Sequence, residues 1–249
     1  MQSGTRPTIS VIVCAYNEAG YLAACLHAVL AQTRTPDEVI VVDNASSDGT
    51  GDIARAIAGV RVVVEPTKGL VNARETGRMA ARGEILAYVD ADCRPPLSWL
   101  ECVERRFVRR PALVAVTGPY RFYDWDRSGR LLVRVYDALV APPTHWAVHH
   151  GLGIGAILYG GNFAVSRDAL ARIGGFDRSI EFHGEDTNLG RRLTPVGQVD
   201  VARECWLWTS ARRYRALGKA TVFWLYIRNF WSEILRHRPA DRTHVDVRA

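Results

Sequence analysis

Two aspartates separated by a single residue, Asp90 and Asp92 in "ILAYVDADCRPP", close an otherwise apolar run. In extended chain, residues i and i+2 point to the same side, so both carboxylates face one place while Ala91 turns away. A desolvated carboxylate is costly unless it is paired, hydrogen-bonded or bound to a metal. Two of them, with room for water and phosphate oxygens, suit Mg²⁺ or Mn²⁺, which prefer octahedral oxygen coordination. The plainer alternative is a pair of solvated loop aspartates. A second acidic pair, Glu185–Asp186, opens "EDTNLGRRL", where first-turn acids are favoured by the helix macrodipole.

The elements that must position these groups are legible upstream. Ile9–Cys14, Val39–Val42, Val60–Val64 and Ile85–Val89 are short apolar runs without polar alternation, as expected of parallel strands covered on both faces. Between them, "NEAGYLAACLHAVLAQT" places Tyr21, Leu22, Cys25, Leu26, Val29 and Leu30 on one face at helical spacing, with Asn17 as its N-cap. Thr50–Ala58 and Leu70–Ala81 supply two more helices. This alternation predicts an α/β fold with a doubly wound, mostly parallel sheet flanked by helices.

Open sheets of this class bind ligands beyond the carboxyl ends of their strands. Those ends carry Tyr16–Asn17–Glu18, then Asp43, then Glu65 and Lys68, then Asp90 and Asp92. Capping and Asx-turns account for Asn17, Asn44 and Asp48, but poorly for the whole row. No GxGxxG follows the first strand and no GxxxxGK[ST] occurs, which excludes a dinucleotide oxidoreductase and a P-loop NTPase. Downstream, Leu113–Gly118 reads as a strand and Arg127–Leu139 as a helix. "YGGNFAVSRDALARIGGFD" reads as a turn, a short strand and a short helix. The uncharged run from Ala138 to Ser166 is broken by Pro142–Pro143 and several glycines, so it is not expected to span a membrane.

The length, 249 residues, fits one large α/β domain or one domain with an extension. A formal charge of +6 suits an anionic substrate, an acidic membrane or nucleic acid without choosing among them. Scattered arginines and the lack of a recognition module argue against nucleic acid. The five cysteines are odd in number and have no CxxC spacing. Neither a zinc site nor a disulfide framework is expected, and a cytoplasmic location is the simplest reading. "MQSGTRPT" has no apolar signal region.

Taken in order, "TISVIVCAYNEAGYL", "DEVIVVDNASSDGT", "GLVNARETGRMAARGEILAYVDADCRPP", "GNFAVSRDALARIGGFD" and "GEDTNLGRRL" resemble glycosyltransferase family 2, from about Thr8 to about Gly218. The resemblance implies a GT-A-type fold and an inverting transferase that uses a nucleotide-sugar donor, in cell-envelope assembly. It divides the chain into a nucleotide-sugar-binding half (about 1–118), an acceptor half (about 119–218) and a C-terminal amphipathic helix and tail (219–249). By position, Ala15, Tyr16 and Glu18 would line the nucleoside pocket, and Asp43 would hydrogen-bond the base. Lys68 and Arg74 would lie near the donor. Asp90 would sit by the ribose and the metal, Asp92 would hold the Mn²⁺ or Mg²⁺ bridging the diphosphate, and Asp186 would be the catalytic base.

"TSARRYRALG" departs from the QxxRW signature of processive members, which implies single addition. Arg212 and Arg213 either clamp the diphosphate bidentately or ride an exposed helix. His145, His149, His150 and His183 are candidates for acceptor contacts or a metal ligand, with generic polar lining the favoured reading because nothing in the sequence orients them. UDP is the default nucleotide, with GDP next; the acceptor is a sugar, a lipid-linked or a small molecule. A sugar-nucleotide nucleotidyltransferase and a non-catalytic sugar-nucleotide-binding subunit are the rival readings. The first would carry a glycine-rich basic loop after the first strand, and "CAYNEAG" has no basic residue. The terminal "ATVFWLYIRNFWSEIL" suits packing on its own domain, a homodimer interface, or peripheral contact with the inner face of a membrane, packing being slightly favoured.

Overall fold

Val11, Ile12 and Val13 have no solvent exposure, because β1 (Ile9–Ala15) lies inside a sheet covered on both faces. The computed structural model describes residues 6–180 and 184–241. The sheet has seven strands in the order β3-β2-β1-β4-β7-β5-β8. They are β2 (Glu38–Asp43), β3 (Arg61–Val64), β4 (Ile85–Asp90), β5 (Leu113–Thr117), β7 (Asn162–Ser166) and β8 (Gln198–Val201), with β1. All neighbours run parallel except β7, which is antiparallel to both β4 and β5. A separate parallel pair joins β6 (Tyr120–Phe122) to β9 (Leu207–Thr209).

Alternation along each strand divides the core between the two faces. Val11 and Val13 join the cluster with Leu22, Cys25, Leu26 and Val29 of α1 (Leu22–Leu30), and with Trp99 and Val103 of α4 (Trp99–Arg109). Ile12 joins the opposite cluster, which includes Val71 of α3 (Leu70–Ala80) and Leu189 and Leu193 of α8 (Glu185–Leu193). The short helices α2 (Thr50–Arg55) and α7 (Arg167–Arg172) complete the layers. Gly77 lets α3 lie close to the sheet: a Cβ there would meet Ile12 Cγ2 at 2.5 Å.

Helix α1 starts later than the sequence suggests. Asn17 is not its cap; it takes a positive φ of 49°, a conformation asparagine tolerates, and accepts a hydrogen bond from the Ser47 N–H. The predicted helix from Arg127 also runs further than Leu139. α5 (Arg127–Val135) continues through a π-helical turn (Tyr136–Val140), α6 (Ala141–His145) and a second π-helical turn (Trp146–Gly151). Pro142 and Pro143 cannot donate back along the helix, and π-turns are one way a helix absorbs that interruption. The carbonyl of Ala138, where the Pro142 N–H would have bonded, accepts instead from Arg203.

α9 (Arg212–Leu217) and α10 (Lys219–Arg236) end the described chain. α10 buries Val222, Asn229, Glu233 and Ile234, and Glu233 accepts from Asn188 and Arg191 of α8. One face of the terminal helix is therefore packed on its own domain. Among the described residues no helix is long and apolar enough to cross a membrane. Contrary to the cysteine spacing, Cys102 and Cys205 form a disulfide between α4 and the loop before β9. They are separated by 103 residues, so only the fold brings them together.

Candidate active site

The strand order reverses direction beside β1, the kind of switch point at which α/β sheets open a crevice. Asp90 pairs in register with Cys14, and Asp43 with Ala15, so the ends of β4, β1 and β2 are level. The loops beyond them are laced together. Glu18 donates its N–H to Thr50 Oγ1, Asn17 its N–H to Ser46 Oγ, and the Asp43 carboxylate accepts from the Ser46 N–H. Asp43 lies over the first turn of α2, where a Cβ on Gly51 would come within 2.3 Å of its Oδ2. Asn44 pulls in the next loop, donating to the carbonyls of Glu65 and Thr67 and accepting from the Gly69 N–H. That loop carries Lys68, whose Nζ stands 4.0 Å from the centre of the Tyr16 ring.

Arg212 closes this edge from the far end of the chain. Its guanidinium forks onto both oxygens of Glu18, at 2.8 and 2.5 Å, and reaches Asp92 Oδ2 at 3.1 Å. Hydrogen bonding to Glu18 and the Asp92 charge raise its pKa against the opposing effect of burial. The neighbouring Arg213 turns elsewhere, towards the Tyr226 ring on α10.

The antiparallel strand β7 delivers the rest. Because it runs against β4, its beginning lies beside the end of β4, with Val89 opposite Asn162. Gly161, just before β7, accepts from the Asp90 N–H and donates its own N–H to the Tyr120 hydroxyl. A Cβ on Gly161 would lie 2.1 Å from Asp90 Oδ2, and one on Gly160 would lie 3.4 Å from both Glu185 Oε1 and Asp186 Oδ2. The Gly-Gly turn thus adjoins the β4 carboxylate at Gly161 and the α8 acidic pair at Gly160. Asn162 fixes the turn from behind. It accepts from Trp99 Nε1 and donates to the carbonyls of Gly118 and Cys205.

Arg74, 2% exposed, lies beneath this group. It donates to the Gly160 carbonyl and to Glu185 Oε1. Burial and the charge of Asp186 push Glu185 up, while Arg74 opposes them. Burial raises Asp186 too, and Arg74 and the Thr187 N–H hold it back. Two adjacent half-buried carboxyls with one guanidinium resist ionising together. The sequence reading passed over Gly160, Gly161, Tyr120 and Asn162. Its available signal was the Gly-Gly before a strand, a mark of close backbone approach.

The histidines do other work. His145 donates from Nε2 to the Val199 carbonyl and accepts at Nδ1 from the Ile157 N–H. His149 accepts at Nε2 from the Val199 N–H and meets Thr194 Oγ1 through Nδ1. Together they bond the outer edge of β8, much as another strand would. Their rings stack on each other, His150 meets both edge-on, and His183 lies outside the described residues.

As for a cation, no group of three His, Cys, Asp or Glu among the described residues is placed to hold a metal ion. Asp90 ends β4, but Ala91 and Asp92 lie in a turn closed by the Cys93 N–H onto the Asp90 carbonyl, so the extended-chain reason for pairing them does not hold. Both carboxylates still border the crevice, Asp90 against Gly161 and Asp92 against Arg212. Such a partial set fits a cation that takes its remaining ligands from water and substrate phosphates.

Residues 10–174 match the model of Glycosyl transferase family 2. The chain belongs to this family. Among curated glycosyltransferases, AglE of Haloferax volcanii is 43% identical over 106 residues, which are 40% of this chain and 35% of AglE. The glucosyl-dolichyl phosphate glucuronosyltransferase of the same organism is 24% identical over 90% of this chain and 74% of its own length. The alignment thus spans about a third of AglE and most of the glucuronosyltransferase. Mannosyltransferase PcManGT of Pyrobaculum calidifontis, solved with GDP-Man and Mn²⁺, superposes with a TM-score of 0.66 at 25% identity. That likeness covers 90% of this chain and 65% of PcManGT. Glucosyl-3-phosphoglycerate synthase of Mycobacterium tuberculosis, at 23% identity and a TM-score of 0.65, has the same fold over 92% of this chain and 78% of its own. The architecture of this family 2 member is accordingly the GT-A fold.

Proposed function

We propose that the protein transfers one sugar, with inversion, from a nucleotide-sugar donor to an acceptor hydroxyl, with Mn²⁺ or Mg²⁺ at Asp90 and Asp92. The observation that supports this most directly is the Gly160–Gly161 turn, which adjoins Asp90 on one side and Glu185–Asp186 on the other. Leaving group and nucleophile must lie on opposite sides of an anomeric carbon in a single displacement. Carboxylates on two sides of one glycine turn suit that arrangement.

In this reading Ala15, Tyr16, Glu18 and Asp43 form the nucleoside side, and the loop bearing Lys68 borders it. Arg212, drawn over the crevice by Glu18 and Asp92, faces the diphosphate and offsets charge that develops as it leaves. The bound cation supplies Lewis-acid stabilisation of that same charge. Asp186 takes the acceptor proton. Burial favours the proton on Glu185, and Arg74 joins Glu185 to the Gly160 carbonyl. Arg213, directed to α10, belongs to the acceptor side.

UDP-sugars are the favoured donors and GDP-sugars the alternative, the PcManGT complex containing GDP-Man. The acceptor is a sugar, a lipid-linked or a small molecule. The lipid-linked class is supported by the glucosyl-dolichyl phosphate named for one relative and agrees with peripheral membrane contact through α10. Calorimetry with a nucleotide-sugar panel, with and without Mn²⁺, followed by NMR of the product's anomeric configuration, tests the proposal. Metal-independent binding, or a product that retains the donor configuration, would overturn it.

A further inference from the structure

The largest exposed apolar side chains concentrate on two helical stretches rather than scattering over the surface. On the helical run from α5 to the second π-turn, Leu131, Val135, Leu139 and Trp146 are exposed, Leu139 and Trp146 by 70% and 65%. They recur at intervals of four, four and seven residues, and Leu132 and Val140 beside them are exposed as well. The backbone stays in the right-handed helical region where the segments join, at Tyr136, Ala141 and Trp146. α10 repeats the pattern, exposing Trp224, Trp231 and Leu235 on the side away from Val222, Asn229 and Glu233. The Tyr136 and Phe223 rings meet at 6.1 Å and tie the two stretches together.

The charge on the first stretch is predominantly positive. Between residues 127 and 166 the charged side chains are Arg127, Arg130, Arg134 and Asp137. Asp137 accepts from the Tyr159 hydroxyl at 2.6 Å, on the inner side. None of the three arginines forms an ion pair with another described residue. Arg121 is held over the Trp206 ring, and burial, then the nearby charge of Arg134, lower its pKa. A symmetric contact with a second copy would bring these like charges together. An anionic bilayer meets all of them at once and takes the apolar side chains and tryptophans into its interface.

We propose that residues 127–154, together with the outer face of α10, dock the protein on an anionic phospholipid surface. The site's acceptor side then lies towards the bilayer, because Asp137 and Tyr159 link this helical run to the Gly160–Gly161 turn. The docking itself does not depend on the transfer reading.

The test is sedimentation of the full chain with phosphatidylcholine vesicles, with and without phosphatidylglycerol. The wild type should pellet with the anionic vesicles and shift its tryptophan emission to the blue. Changing Arg127, Arg130 and Arg134 together to Glu should weaken that binding by about a hundredfold or more. Leu139→Ser with Trp146→Ser should weaken it on both kinds of vesicle. Unchanged far-ultraviolet circular dichroism and nucleotide affinity establish that each variant is folded. A wild type that stays in the supernatant overturns the proposal. So does a lipid-free dimer that the Leu139→Ser, Trp146→Ser variant dissolves.

Discussion

Gly161 lies against Asp90 with no room for a side chain between them: a Cβ on the glycine would stand 2.1 Å from the carboxylate oxygen. The contact also includes the Asp90 N–H, which donates to the Gly161 carbonyl. The glycine therefore sets where that carboxylate points. Gly161→Ala must displace either the strand end or the Asp90 side chain, at an overpacking cost of about 1–3 kcal/mol. We expect a folded protein whose Mn²⁺-dependent nucleotide affinity falls at least tenfold, measured by calorimetry. Unchanged affinity would show that Asp90 does not serve the donor site.

Asp92 shares Arg212 with Glu18, so removing it leaves the guanidinium anchored. Asp92→Ala should keep a weak, metal-independent affinity for a nucleoside diphosphate and lose the gain that Mn²⁺ provides. A metal-dependent gain equal to that of the wild type would remove Asp92 from the cation site.

Asp186→Asn keeps the volume of the side chain and its contact with the Thr187 N–H but cannot take a proton. Donor binding should persist while transfer slows roughly 10²–10⁴-fold. Near-normal turnover would assign the acceptor proton to another group.

Arg74 is the counter-ion of the half-buried Glu185, with the charge of Asp186 close by. Arg74→Met should destabilise the fold by about 1–3 kcal/mol at neutral pH, because it leaves Glu185 uncompensated and the Gly160 carbonyl without its donor. Denaturant unfolding of the two proteins supplies the comparison. A loss under about 1 kcal/mol would mean the acidic pair is neutral as a whole.

Burial and its two histidine neighbours push His149 down to about 4. It is neutral when folded and free to protonate when unfolded, so its contribution is complete above the unfolded value, near 6.5. That contribution fades as pH falls from there towards 4. The loss should reach about 2 kcal/mol by about pH 4.5, a window it shares with other acid-sensitive groups. His149→Gln retains an acceptor for the Val199 N–H without the titration. Denaturant unfolding at about pH 7 and about pH 4.5 should show a correspondingly smaller loss for the variant; equal losses would exclude His149 as a source.

Sequence patterning exposes the nucleotide-side half of the site well. Its strands are continuous apolar runs, so the polar residues that end them, Asp43 and Asp90, stand out. The acidic start of α8 is visible for a similar reason. The second half is harder because its determinants are tertiary. Nothing local distinguishes the direction of β7, yet that direction places Gly161 on Asp90. Arg74 sits in "LVNARETGRMA", whose mixed polarity does not reveal a buried arginine. The prolines at 142 and 143 promise a break, but the helix runs through them because π-turns and Arg203 absorb the missing donors. The Cys102–Cys205 bridge likewise follows from the fold and not from spacing.

Both ends of the stretch from Phe122 to Gly160 are anchored at the same edge of the sheets: β6 delivers the chain there and β7 leaves from there. The chain between them makes an excursion from two neighbouring points, and His145 and His149 tie it back to the outer edge of β8. Ala156, near its end, lies against Gly190 of α8, where a Cβ would come within 2.4 Å of the Ala156 carbonyl oxygen. A change of length or shape inside the excursion is therefore felt by the helix that carries Asp186.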